Sequence, residues 1–357
     1  MSPGAGVCPW DGTPCVEVAP ADLALVGQSV EGGFEVVRIL GAGGSGLVFE
    51  ARQPWSDRAA ALKVLRLERT RDPRTVRRFL QEVAVLSRMS GRSTAPIIGT
   101  GHLPDGRMFV AAERFEGASL RRVLLAETRL PPERAVRLAT RALDALAEAH
   151  ALGVLHRDMK PENLFVVKIL DDSEDLRVLD FGLAKLRGEP SPLTGSGFVC
   201  GTPAYMSPEQ ALGRNVDARS DLYALGAVLF EMLAGVLPFE QHNPVRLLED
   251  KVSRAAPDVR EAAPGIEVSP ALAAAVASLL ALRPRDRPES AGVARVLLAR
   301  AMGWPEPAPA WGERLGSFPA PGEAGPPPRA RTMTTWAWWL LALLAGAAIG
   351  VLVSRGA

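Results

Sequence analysis

His156-Arg157-Asp158-Met159-Lys160-Pro161-Glu162-Asn163 places a carboxylate, a cation and an amide within six residues. Asp180-Phe181-Gly182 adds a second carboxylate beside a glycine that lets the backbone turn. These residue types suit phosphoryl transfer from ATP. Asp158 can orient a hydroxyl and accept its proton late in transfer, and Lys160 can neutralise charge on the moving phosphoryl group. Asn163 and Asp180 offer the hard oxygens that magnesium prefers, with manganese able to take its place.

Gly41-Ala42-Gly43-Gly44-Ser45-Gly46-Leu47-Val48 reads G-x-G-x-x-G-x-V. A dinucleotide loop of that pattern opens a helix at its last glycine. Here the chain returns into a strand, Leu47–Ala51, so the unit is a hairpin. Its tip can approach phosphates without Cβ clashes and present backbone N–H groups. A plain glycine-rich hairpin is the alternative, and Lys63 argues against it. It sits on the next strand, Ala59–Leu65, within reach of the α- and β-phosphates. A buried ammonium needs a counter-charge. Glu82 is the natural candidate, with Glu68 and Glu50 as competitors nearer to strand ends.

The elements that must position these groups follow from periodicity. Phe34–Leu40 and Met108–Ala112 read as further strands. Pro73–Met89 reads as an amphipathic helix with Val76, Phe79, Leu80, Val83 and Leu86 on its apolar face. After Gly117 the pattern turns helical: Pro132–Leu152, Asp221–Ala234, Pro270–Leu282 and Ala291–Met302. A sheet-rich first part and a helical second part predict an α+β fold. Asp158 and Asp180 stand 22 positions apart. Leu164–Val167 and Arg177–Leu179 read as a hairpin that brings them to one edge of a cleft. Its turn, Asp171–Asp175, reads as a solvated loop, because it lacks EF-hand spacing.

Bulk composition narrows the class. The chain has 357 residues, 47% of them hydrophobic, with 41 basic and 40 acidic residues. That balance gives no argument for a nucleic-acid partner. Lysine occurs only at 63, 160, 168, 185 and 251. Cys8, Cys15 and Cys200 make a poor disulfide framework and fit a reducing compartment. Cys8 and Cys15 look like half of a zinc ribbon, but no second pair exists, so a zinc-free turn is expected unless two chains share a metal. Met1–Gly6 shows no secretory signal pattern. Trp336–Val353 is an uncharged run of 18 residues. As a helix it would span roughly 27 Å, close to a bilayer core. It follows a Pro/Gly-rich spacer and reads as a membrane span.

Together these motifs make the chain resemble the bacterial eukaryotic-like (Hanks-type) serine/threonine protein kinases, from about Phe34 to Met302. Gly201-Thr202-Pro203-Ala204-Tyr205-Met206-Ser207-Pro208-Glu209, Asp221 to Gly226 and Arg285-Asp286-Arg287-Pro288 extend the match. Ser207 stands where the family usually has alanine. The resemblance implies a two-lobed kinase fold over 34–302, preceded by an extension at 1–33. A juxtamembrane linker at 303–335, one transmembrane helix at 336–353 and a short tail at 354–357 would follow.

The same resemblance implies an ATP site of Leu40, Gly41, Gly43, Gly46, Val48, Ala61, Lys63, Glu82, Glu113 and Phe115, with Ala112 as the gatekeeper at the back. It pairs Glu209 with Arg287, makes Asp221 a brace for the catalytic loop and gives Thr202 a contact to that loop. Lys160 implies serine/threonine rather than tyrosine specificity. Phosphate on Ser191, Thr194 or Ser196 would pair with Arg157 and order the 188–199 segment. The expected partners are ATP, protein substrates, the membrane and a second copy of the chain through Gly346-x-x-x-Gly350. The expected location is the inner membrane, with the kinase part in the cytoplasm. Two other readings stay open: a pseudokinase scaffold, which would lack Lys63, Asp158 or Asp180, and a small-molecule kinase, which would lack the Gly201–Glu209 segment.

Overall fold

The computed structural model describes residues 18–43, 46–56, 59–65, 76–77, 79–80, 83–84, 87–89, 92–169, 174–179, 181, 203–241, 243–262, 265 and 267–305. Residues 1–314 form one unit and 315–357 another. The cysteines, the 188–199 segment and the expected span at 336–353 lie outside the described residues. Among the described residues no helix is long and apolar enough to cross a membrane.

The first lobe opens with a one-turn helix, α1 (Pro20–Leu23). Six strands follow: β1 (Ser29–Val30), β2 (Phe34–Gly43), β3 (Gly46–Arg52), β4 (Ala59–Val64), β5 (Ile97–His102) and β6 (Met108–Glu113). They form an antiparallel sheet in the order β1-β2-β3-β4-β6-β5. Strand β4 shows how sequence sets the faces. Its alternation buries Ala60, Leu62 and Val64 and turns Ala61 and Lys63 the other way. On the core face Phe49, Leu62 and Ala111 pack together, and Phe34 meets Phe109 edge to face at 6.0 Å. Fully burying a Phe or Leu contributes about 1.5–3 kcal/mol each. On the opposite face the register aligns Val48 with Lys63 and Val110, and Glu50 with Ala61 and Ala112. Phe79 and Val83, from the region expected as an amphipathic helix, pack with Leu65, Met108 and Val110.

Two findings differ from the sequence reading. The core of this lobe begins before Phe34, since Leu25 and Val30 are buried within it. Strand β2 also runs past Leu40 to Gly43, carried by two irregularities in its pairing with β3.

The second lobe is helical around a small sheet of β7 (Gly117–Ser119), β8 (Leu164–Lys168) and β9 (Glu174–Val178). Its helices are α2 (Leu120–Glu127), α3 (Pro132–Ala151), α4 (Pro208–Ala211), α5 (Ala218–Ala234), α6 (Pro244–Ser253), α7 (Val259–Ala262), α8 (Pro270–Leu279) and α9 (Ala291–Ala301). Helix α5 is apolar all round and buried from Ser220 to Ala234, as a core helix must be. It starts three residues before the expected Asp221, because Asp217 caps it by accepting from the Arg219 N–H. At Gly226 an added Cβ would meet Leu279 Cβ at 2.8 Å, so glycine sets the close approach of α5 and α8. Strand β9 begins at Glu174, inside the expected acidic turn. Its carboxylates are held in the sheet by arginines: Glu174 by Arg134 of α3, and Asp175 by Arg177 and Arg141.

Candidate active site

Between the sheet and the β8–β9 hairpin lies a cavity of about 740 Å3. That is ample for a nucleotide. Leu40, Gly41, Val48, Ala61 and Lys63 line it from the sheet. Ala112, Glu113 and Phe115 line its back, and Phe165, Val178 and Phe181 its other side. The register described above explains the first group, since Val48, Ala61, Lys63 and Ala112 share one sheet face. Gly46 opens β3 at φ 132°, and a Cβ there would come within 2.2 Å of the Val64 carbonyl oxygen. Only glycine fits the hairpin's return beside β4.

The segment after β6 is narrower in its donors than the sequence suggests. The Glu113 N–H donates to the Pro96 carbonyl at 2.9 Å and the Arg114 N–H to the Ala59 carbonyl at 3.0 Å. Among the described residues no backbone acceptor meets the Phe115 N–H. That amide is one donor this segment can offer to a bound base.

The loop around Asp158 sits at the cavity's edge, where Glu162, Leu179 and Phe181 join the lining. Lys160 Nζ lies 3.0 Å from Asp158 Oδ2. Asn163 Nδ2 donates to the Asp158 carbonyl at 2.8 Å and lies 3.3 Å from its Oδ2. With its nitrogen so engaged, Asn163 has Oδ1 to present, a hard oxygen that fits magnesium. Asp158, Lys160, Tyr205, Met206 and Gln210 border a gap of about 10 Å3 beside Arg157 and Met159, the size of about one water.

The loop's backbone is over-determined. Arg157 has a positive φ of 62°, a costly conformation for a non-glycine residue. Asp221 holds it there. Its Oδ1 accepts from the Arg157 N–H at 2.8 Å, and its Oδ2 accepts from the His156 N–H at 2.9 Å and lies 2.8 Å from His150 Nε2. Burial pushes the Asp221 carboxyl upward, yet the His150 bond, the neighbouring histidines and the Arg157 amide together hold it below the usual range. Gln210 Nε2 donates to the Arg157 carbonyl at 3.2 Å. His156 is fully buried; its Nδ1 accepts from the Asp158 N–H at 3.2 Å, which leaves Nε2–H to donate to the Leu179 carbonyl at 2.9 Å. This histidine thus joins the Asp158 loop to the residue before position 180.

A deeper pair anchors the segment after the loop. Arg287 donates twice to Glu209, at 2.7 and 2.8 Å, with the guanidinium wholly buried. Burial works to raise the Glu209 carboxyl, but Arg287 and the Ser220 hydroxyl lower it further than burial lifts it. Arg121, which sequence reasoning passed over, bonds Glu162, Glu231 and the Tyr205 hydroxyl. Nothing in its local pattern distinguishes it from its neighbour Arg122. The hairpin residues Phe165 and Val178 were also missed as cavity lining, though each lies two positions from a named ligand residue. Glu82, Asp180, Ser191, Thr194, Ser196 and Thr202 lie outside the described residues, and so does any side-chain placement for Gly43.

Residues 34–297 match the protein kinase domain family. The chain is 40% identical over 269 residues to the serine/threonine-protein kinase pkn3 of Myxococcus xanthus, covering 74% of this chain and 49% of that protein. It is 34% identical over 280 residues to the serine/threonine-protein kinase PknB of Mycobacterium leprae, covering 77% of this chain and 44% of that protein. It therefore spans about half or less of the length of these curated relatives. The crystal structure of the PknI kinase domain of Mycobacterium tuberculosis superposes with a TM-score of 0.60 at 25% identity, covering 78% of this chain and 98% of that one.

Proposed function

The chain belongs to the protein kinase family, and from that membership we propose that it transfers the γ-phosphoryl group of ATP to serine or threonine hydroxyls of proteins. The observation that carries this reading is the meeting of Asp158, Lys160 and Asn163 on the loop whose Glu162 lines the cavity.

In this reading the adenine lies between Val48 and Ala61 on one side and the hairpin on the other, and the Phe115 N–H donates to its edge. Lys63 holds the α- and β-phosphates, and Gly41 to Gly46 covers them with backbone amides. A substrate hydroxyl approaches Asp158 and is oriented by its carboxylate. The new oxygen–phosphorus bond forms as the bond to the β-phosphate oxygen breaks and ADP departs. The hydroxyl proton passes to Asp158, and the Lys160 ammonium offsets charge on the transferring group. Asn163 and Asp180 would hold magnesium, which supplies charge neutralisation on the phosphate oxygens when bound.

The reading extends to three finer points. Phosphate on Ser191, Thr194 or Ser196 orders the 188–199 segment through Arg157. Residues 336–353 cross the inner membrane, with the kinase part on the ATP-containing side. Gly346 and Gly350 let two such spans pack closely. Support comes from the uncharged apolar run and its spacing in the sequence.

Purified full-length chain with magnesium and labelled ATP tests the chemistry. Asp158→Asn should lower turnover by about 10²-fold or more while ATP binding stays near wild type. Full activity in that variant would sink the assignment.

A further inference from the structure

Lys251 is a lysine with no place in the chemistry above. It projects from α6, which packs against α4 and the turn Pro203–Tyr205, and its side chain is completely buried. Lysine is almost never so buried without a carboxylate partner. Here the nearest partners are neutral. Its Nζ donates to the Ala204 carbonyl at 2.5 Å and to the Met206 carbonyl at 3.0 Å. The amine also lies 5.4 Å from the Tyr223 ring centre and 5.9 Å from that of Phe239, at cation–π distance from both. Burial pushes this ammonium down to about 7. A group that expensive to bury holds its position through what it binds.

What it binds is the stretch that packs beside Asp158. Ala204 and Met206 flank Tyr205, and Tyr205 and Met206 border the water-sized gap with Asp158 and Lys160, so this stretch walls the loop on that side. Three devices fix this wall from three sides. The Tyr205 hydroxyl donates to Glu231 at 2.6 Å. The Ser207–Gln210 capping box starts α4. Lys251 grips the two carbonyls between them from beneath. A single donor spanning both carbonyls at the end of the 3-10 turn Pro203–Tyr205 ties that backbone to α6.

We infer that Lys251 is a positioning residue for the protein substrate: by clamping the Ala204 and Met206 carbonyls to α6 it shapes the wall on which the residues around the acceptor hydroxyl rest. It does not touch nucleotide, metal or the reacting atoms. The inference rests on the protein-kinase reading above and deepens it.

The test is steady-state kinetics of the full chain on a serine/threonine peptide that the wild type phosphorylates, with Lys251→Met and Lys251→Gln. Methionine keeps the length and loses every donor. Glutamine keeps an amide donor. The expected result is a rise of about 10-fold in the peptide KM for Lys251→Met, with the ATP KM within about 2-fold of wild type and a smaller rise for Lys251→Gln. An unchanged peptide KM in folded Lys251→Met overturns the inference. So does a parallel loss of kcat, both KM values and thermal stability in the two variants, or failure of both to fold, since each marks a residue needed for the fold alone. A wild-type chain that phosphorylates no peptide overturns the protein-kinase reading itself, and is thereby distinguished from a defect confined to the variants.

Discussion

The two sides of the cleft are held by different physics. On the sheet side, ladder register puts Val48, Ala61, Lys63 and Ala112 on one face, where small or β-branched side chains surround the lysine. On the loop side, Asp158 is placed by polar bonds through His156, Asp221 and Gln210, and Gln210 follows Glu209, which Arg287 holds in a buried pair. Register survives the exchange of one side chain for another of tolerable size. A buried polar chain does not survive loss of one member, because the partner left behind keeps its desolvation cost. The nucleotide side should therefore be tolerant and tunable, and the catalytic side brittle.

Asp221→Asn tests the brittle side most severely. One carboxylate oxygen becomes an NH2 facing N–H donors, so at least one of the His156 and Arg157 amides loses its acceptor. The positive φ at Arg157 then has less to hold it. We expect kcat to fall by about 10²-fold or more, with a stability cost of about 1–3 kcal/mol. Activity near wild type would show that the loop holds its shape without this carboxylate.

Arg287→Met probes the far end of the same chain. It leaves Glu209 buried without its cation, and breaking a buried pair from one side costs about 3–5 kcal/mol. Glu209→Gln with Arg287→Met together should recover part of that loss, because no lone charge remains. Denaturant melts of the two singles and the double give the coupling. Activity should fall less than in Asp221→Asn, since the contact to the loop runs through Gln210.

Ala112→Phe is the matching probe of the tolerant side. The residue faces Ala61 across β4 and β6 and lines the back of the cavity. Overpacking there should cost about 1–3 kcal/mol. The fold should hold, the ATP KM should rise by about 10-fold, and bulky ATP-competitive inhibitors that bind wild type should lose their site. Equal inhibition of both forms would remove Ala112 from the back of the pocket.

The same contrast explains what was legible in sequence. Motif residues on ladders and loops could be read because each motif is local: the glycine hairpin, Lys63 on β4 and the Asp158 loop are contiguous. Helix α5 was legible because so long an apolar run, Leu222 to Phe230, has one destination. What stayed hidden was long-range. Strand β5 carries two glycines in Ile97–His102 and exists through its pairing with β6. Glu174 and Asp175 look like turn residues, and only the arginines across from them make a strand affordable. Leu25 and Val30 belong to the first lobe because of the sheet they cover, which their own neighbourhood does not announce. Arg121 and Lys251 look like surface cations on amphipathic helices, and their partners arrive from more than 40 positions away.

Lys251 gives the smallest effect, and a sign that separates the two kinds of buried charge. Glu209 and Asp221 are held below their ordinary values, so they favour the fold above the unfolded carboxylate range and lose that contribution as acid approaches. Lys251 acts the other way. Its ammonium is pushed to about 7 from an ordinary 10.5. Between those values the unfolded chain binds the proton and the folded chain does not. Stability therefore rises with pH across that window, by at most about 1.4 kcal/mol per pH unit for one proton. Other groups packed around the amine leave this window clear. Burial raises the Tyr205 and Tyr223 hydroxyls beyond it, and Glu209 is held below it. Chemical denaturation at pH 7.5 and 8.5 should show wild type gaining on the order of 1 kcal/mol over Lys251→Met, whose curve lacks the rise. Parallel pH curves for the two proteins would mean that Lys251 keeps its proton in the fold, and the clamp on Ala204 and Met206 would then be a fully charged one.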